Sequence, residues 1–104
     1  MSARLVQILL PLRTRSGQRV PDERVDRVRR TLTERFGGVT AYTRSPARGA
    51  WKSPAGEVER DDVIMVEVVV PQLDREWWAA YRRELQSAFE QDEIHARALP
   101  IEEL

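Results

Sequence analysis

Few side chains in this chain have the chemistry to act on another molecule, and four of them fall on segments that read as strands. His95 is the only histidine. Imidazole ordinarily changes charge near neutral pH, which is what a general acid or base needs. Arg97 follows two residues later, the spacing that shares one face of a strand. Its guanidinium can anchor a carboxylate or phosphate through paired N–H donors. Glu67 interrupts the apolar run Val63-Ile-Met-Val-Glu-Val-Val-Val70, and Gln7 interrupts Leu5-Val-Gln-Ile-Leu-Leu10. A carboxylate beside a histidine or an arginine orients it. As chemistry, His95 and Glu67 are candidate catalytic residues, and Arg97 and Gln7 candidate ligand contacts. As structure, the same four residues form a satisfied polar network that fixes the register of a protein interface.

A second candidate is the stretch Arg44-Ser-Pro-Ala-Arg-Gly-Ala-Trp-Lys52. Arg44, Arg48, Lys52 and the Trp51 indole, on a segment rich in glycine and proline, suit a flap that closes over an anionic ligand. They suit equally a long loop pinned to the body by Trp51 with its cations in water. Tyr42, just before this loop, is placed to reach the same cleft. The acids Glu57, Glu59, Asp61 and Asp62 lack the spacing of an oxygen-ligand loop and read as solvated charges.

The composition excludes much else. There is no cysteine and one histidine, so thiolate nucleophiles, disulfides, zinc-thiolate sites and multi-histidine metal centres cannot form within one chain. Asparagine is missing too. No phosphate-binding loop, dinucleotide fingerprint or Gly-x-Ser-x-Gly elbow occurs, so neither a cofactor nor a metal is expected. Seventeen basic residues balance 17 acidic ones, which removes the cationic field of a generic nucleic-acid or anionic-membrane binder. No run approaches the ~20 apolar residues of a membrane span, and the N-terminal apolar run lacks a cleavage pattern, so a cytoplasmic protein is expected.

The elements that must position these residues follow from periodicity. Residues 4–10 form a short apolar run stopped by Pro11, a strand. Pro21-Asp-Glu opens a helix whose apolar stripe is Val25, Val28, Leu32 and Phe36 and whose end is Gly37-Gly38. Glu23/Arg27, Asp26/Arg30 and Arg30/Glu34 are spaced four apart for ion pairing on its wet side. Val39–Ser45 reads as a second strand, and 46–57 as a loop or irregular hairpin tip. Val63–Val70 is the strongest strand signal, stopped by Pro71. Asp74 is placed to cap a second helix, with Leu73 and Trp78 as its hydrophobic staple and Trp78, Tyr81, Leu85 and Phe89 as its stripe. A last strand runs from about Glu93 to Leu99.

Strand, helix, strand, strand, helix, strand, over 104 residues, is one α+β domain spanning 1–104. Right-handed crossovers make it a ferredoxin-like βαββαβ sandwich, a four-stranded antiparallel sheet of order 4-1-3-2 with two helices on one face. Alternation gives each strand two faces. Val6, Ile8, Leu10, Ile64, Val66, Val68, Val70, Ile94, Ala96 and Ala98 form an all-apolar set for the helix side. The opposite set is Leu5, Gln7, Leu9, Val63, Met65, Glu67, Val69, His95, Arg97 and Leu99. It holds all the polar residues of these strands and still more than half its members are apolar, with no helix left to cover them. Monomers seldom leave such a patch in water, so a second copy is expected on it, most simply as a two-fold homodimer. Gln7 would then lie between Glu67 and the His95/Arg97 pair, with Arg97 able to reach Glu67 across one strand.

The stretch Thr33-Glu-Arg-Phe-Gly-Gly-Val-Thr-Ala-Tyr42, then Gly49-Ala-Trp51, Gly56 and Arg60-Asp-Asp62, resembles a group of short uncharacterised bacterial proteins over almost the whole chain. It is distantly similar to a secreted family of unknown function with a Phe-x-Gly-x-Thr and Gly-x-Trp pattern. These resemblances imply a fold and carry no catalytic residues across. The topology also resembles dimeric α+β barrels, which include cofactor-independent monooxygenases and isomerases. Two functions stand from this reading. One is a homodimeric binding or regulatory module with a small anionic or aromatic ligand in the cleft. The alternative is a small cofactor-independent enzyme using His95 and Glu67. RNA binding on the sheet is excluded, because the two central strands carry no aromatic for bases to stack on.

Overall fold

The computed structural model describes residues 3–44, 51–52, 58–59 and 63–104. The elements in chain order are β1 (Arg4–Pro11), α1 (Asp22–Phe36), β2 (Thr40–Arg44), β3 (Trp51–Lys52), β4 (Val58–Glu59), β5 (Val63–Val70), α2 (Arg75–Ala88) and β6 (Ala96–Pro100). The chain is thus α+β, two helices and an open antiparallel sheet. β1 is the centre of that sheet. It pairs with β5 on one side, Gln7 opposite Glu67, and with β6 on the other, Gln7 opposite Arg97. The backbone of β2 runs along the far side of β5, and β3 and β4 pair only with each other.

Each element forms for a local reason. β1 and β5 are rich in β-branched and leucine side chains, which suit a pleated, half-buried surface. The burial of β5 alternates residue by residue, as the period of two requires. Helix α1 starts at Pro21, whose fixed φ suits a helix entry, with Asp22 and Glu23 in the first turn facing the dipole's positive end. It stops at Gly37, which adopts φ +83° and donates its N–H to the Thr33 carbonyl at 2.8 Å. A Cβ would be strained in that backbone conformation, so glycine ends the helix. Helix α2 is capped by Asp74, whose carboxylate accepts from the Trp77 N–H at 3.1 Å.

One continuous core joins the sheet to both helices: Val6, Ile8, Leu10, Ile64, Val66, Val68 and Val70 from the strands, Val25, Val28 and Leu32 from α1, Tyr81 and Leu85 from α2, with Phe89 and Ile94 beyond it. Phe36, Trp77, Trp78 and Tyr81 close one end of this layer as an aromatic cluster, Phe36 stacked on Trp78 at 5.5 Å and Trp77 on Tyr81 at 4.9 Å. The Arg35 guanidinium lies 4.4 Å from the Trp77 ring centre, a cation–π contact that covers the cluster from the wet side.

Several sequence expectations are corrected. The last strand begins at Ala96 and extends to Pro100. A single backbone bond, from the Leu9 N–H to the His95 carbonyl, precedes its ladder, and Ile94 is turned into the core rather than paired. Ala98, assigned to the buried face, is exposed: it lines an open depression that α2 stands over but does not fill. On α1 the ion pair observed is Arg29–Asp26 at 3.9 Å, at i,i+3 spacing, and Arg19 on the entering loop reaches Asp22 at 3.5 Å. Among the described residues none of the four-apart pairs forms: Asp26 turns to Arg29 in place of Arg30, and the rest stay in water, where an exposed pair gains little.

Candidate functional site

The uncovered face of the sheet carries the candidate site. Opposite residues on neighbouring antiparallel strands project to the same side. Leu5, Leu9, Val63 and Met65 are half-buried there, and Val69 and Leu99 are 43% and 38% exposed. Across the middle of this apolar surface runs a row of polar side chains. Gln7 donates its amide N–H to Glu67 Oε2 at 2.5 Å, and the same amide's oxygen accepts from Arg97 Nε at 2.6 Å. Three strands are spanned by one hydrogen-bonded ladder, Glu67–Gln7–Arg97. Its local origin is the register: Gln7 pairs directly with both Glu67 and Arg97. Directly opposed residues in adjacent strands are close enough for short side chains to meet.

The ladder has a direction, carboxylate on the β5 side and guanidinium on the β6 side, and an amide joins them because Gln is both donor and acceptor. The expectation that Arg97 reaches Glu67 itself is corrected. Two strand spacings, about 9.6 Å, separate them, and Gln7 fills the gap. Glu67 and His95 are also not brought into contact. His95 precedes β6, its side chain is exposed, and among the described residues its ring has no hydrogen bond or ion pair.

The second candidate is described only in part. Tyr42 and Arg44 lie on β2, with Tyr42 opposite Met65 and Arg44 opposite Val63, so the backbone brings both to the border of the same sheet. Trp51 is on β3, paired with Glu59 of β4. Arg48 and the acids at 57, 61 and 62 lie outside the described residues. Among the described residues no group of three or more potential metal ligands occurs, and no helix is long and apolar enough to cross a membrane.

Two further features escaped the sequence reading. A depression of about 250 Å3 lies between α2 and β6, where Trp78 and Ala79 face Ala96 and Ala98 and Arg75 and Arg82 stand at the rim. The signal for it was the small residues at 96 and 98 on an edge strand. On the opposite side of the helices, Arg24 reaches from α1 to donate to the Ala88 carbonyl at the end of α2, at 2.6 Å. That carbonyl is one of the four a helix C-terminus leaves without an internal partner. Nothing in the spacing of α1's arginines distinguished Arg24 from its neighbours.

No protein-family model, no curated protein and no solved structure matches this chain, so its functional reading rests on the geometry above.

Proposed function

We propose that the chain is a ferredoxin-like βαββαβ module that acts through its open sheet face, as a self-associating binding or regulatory protein of the dimeric α+β barrel kind. The face is the cover of a cleft for a small anionic or aromatic ligand. The observation that carries this reading is the Glu67–Gln7–Arg97 ladder set in an apolar surface. A sheet face meant for water is mostly polar along its length. This one is apolar above and below a single polar row, save for His95 at the edge beside Leu9. Monomers rarely leave such surface uncovered. Where polar groups sit inside an otherwise apolar contact, they are there to be satisfied and to fix register. A guanidinium in that setting is also a natural anchor for a carboxylate or phosphate.

The enzyme alternative needs His95 and Glu67 to work on one substrate. Within one chain they are two strands apart, with Gln7 between them, and the imidazole has no orienting partner among the described residues. Nothing in the geometry favours it over binding.

The test has two readings. Sedimentation equilibrium at micromolar concentration is expected to give a dimer; a monomer throughout refutes the self-associating face. Titration of short carboxylates, inorganic phosphate and small aromatic acids, followed by tryptophan fluorescence, is expected to give a saturable change for at least one class. That change should be lost in Arg97→Ala. A response that persists unchanged in that variant removes Arg97 from the site.

A further inference from the structure

We infer that the second copy sits with its two-fold axis nearly parallel to β1, so that Glu67 of each chain meets Arg97 of the other and each binding site is completed by both copies. This inference rests on the open-face reading and names its geometry.

Two sheets related face to face by a two-fold axis have that axis in the plane between them. Packed sheets are aligned to within about 30° or crossed near 90°. Three arrangements therefore need comparison, and the register decides among them. Taking Gln7 as the centre, Glu67 lies one strand to one side and Arg97 one strand to the other. Leu5 and Leu9 lie above and below on β1. Leu99 lies beside Leu5 on the Arg97 side, and Val69 beside Leu5 on the Glu67 side.

An axis along the ladder puts Glu67 over the partner's Glu67 and Arg97 over the partner's Arg97. Like charges at the centre of a drying interface are strongly unfavourable. A diagonal axis crosses the sheets and lays each charge beside the leucines of β1, where neither finds a partner. An axis along β1 exchanges left and right. Glu67 then faces the partner's Arg97, Gln7 faces its twin, and Leu5 and Leu9 face theirs. Val69 and Leu99, the two most exposed apolar residues among those described on the face, face one another. Every apolar side chain of the central block meets an apolar one except Met65, which comes over the partner's His95.

The hydrogen bonds already present leave room for this. Gln7 occupies one oxygen of Glu67 and only the Nε of Arg97. The second carboxylate oxygen and the two terminal nitrogens have no partner among the described residues. A guanidinium binds a carboxylate best through such a pair of N–H groups. Face-to-face sheets lie about 10 Å apart, a gap that opposed arginine and glutamate side chains span. Each of the two sites in the pair then consists of His95 and Arg97 from one chain and Glu67 and Met65 from the other; a single chain offers an anion the Arg97 guanidinium alone, and the walls that would hold a neutral ligand come from both copies.

The chain has no cysteine, so a single introduced thiol reports its own neighbours. A bismaleimide spanning about 10 Å is the probe, on otherwise unaltered protein, with sedimentation equilibrium run in parallel. Leu5→Cys alone is expected to cross-link to its twin, and Val69→Cys to cross-link to Leu99→Cys in a mixture but not to itself. Glu67→Arg and Arg97→Glu are each expected to dissociate at least about 30-fold more readily than the parent, and to pair with one another when mixed. If the parent is a dimer but Leu5→Cys links only to Leu9→Cys, the axis lies along the ladder and the inference is overturned while the open-face reading stands. A dimer in which no open-face pair links overturns both, as does a parent that stays monomeric.

Discussion

Tyr81 offers the most quantitative check of how the helix layer is sealed against the sheet. Its ring stacks on Trp77 at 4.9 Å and lies edge-on to Trp78, and the residue is only 6% exposed. Burial, reinforced by the Glu84 carboxylate one turn on and offset in part by a hydrogen bond from Thr31, pushes its phenol from 10.0 up to about 12. The sign follows from proton counting. Between pH 10, where the unfolded phenol ionises, and about 12, where the folded one does, the native state keeps a proton that the unfolded state has released. Stability is therefore unaffected below pH 10 and falls as pH rises towards 12. A shift of two units at 1.36 kcal/mol each sets a ceiling of about 2.7 kcal/mol, and screening of Glu84 on the wet side of α2 lowers this to about 2. Tyr81→Phe removes the titrating group. It is expected to be about 1 kcal/mol less stable at pH 8, through the lost hydrogen bond with Thr31, and to overtake the parent by pH 12. Urea unfolding followed by circular dichroism at pH 8, 10, 11 and 12 measures both. Parallel profiles for the two proteins would show that the phenol is not desolvated in the folded chain, and the sealed layer with it would be wrong.

Three other substitutions test the scaffold. Leu32→Ala, at a position with no exposed surface, is expected to cost about 2–5 kcal/mol in urea unfolding, the most of any substitution on α1. Asp74→Ala removes the acceptor for the Trp77 N–H and is expected to cost about 1 kcal/mol in the same assay, with Asp74→Asn recovering most of it. Arg24→Ala leaves the Ala88 carbonyl without its donor and is expected to cost about 1 kcal/mol, whereas Arg27→Ala, on the same helix and exposed, stays within about 0.5 kcal/mol of the parent.

How much of this was readable before the structure depended on whether a residue's role is local. The α1 stripe, the Gly37 stop and the Asp74 cap each follow from a few neighbouring residues, and each lies where periodicity and capping chemistry put it. The two faces of β1 and β5 were likewise legible, since a period of two in valines and leucines admits one partition. Placing Gln7 between Glu67 and Arg97 needed only the strand neighbours. What failed were roles set by distant parts of the chain. Ala98 alternates correctly yet is exposed, because burial there depends on how closely α2 packs over an edge strand. The Arg24 contact joins residues 64 apart in the chain, and among the closely spaced arginines of α1 only the crossing of two helices selects it. The relay through Gln7, in place of a direct Arg97–Glu67 pair, is a matter of side-chain reach that alternation does not encode.

A guanidinium shared between two copies, as inferred above, would have a consequence for regulation. In the inferred pair, Arg97 would be the partner of the other chain's Glu67 and also the proposed anchor for an incoming anion, and its terminal nitrogens could not serve both fully. An anion that takes Arg97 leaves a carboxylate inside the interface without its counter-charge, the costly half of a broken pair. Ligand binding and self-association are then coupled with opposite sign, and thermodynamic reciprocity makes the coupling equal in both directions. A carboxylate that binds at Arg97 is expected to shift the sedimentation equilibrium towards monomer, and dilution of the protein is expected to tighten that carboxylate's binding by the same factor. A neutral aromatic ligand makes no demand on the guanidinium and is expected to leave the association constant unchanged or raise it. If carboxylate and neutral ligands act on the equilibrium alike, Arg97 is not shared, and the polar row serves register alone.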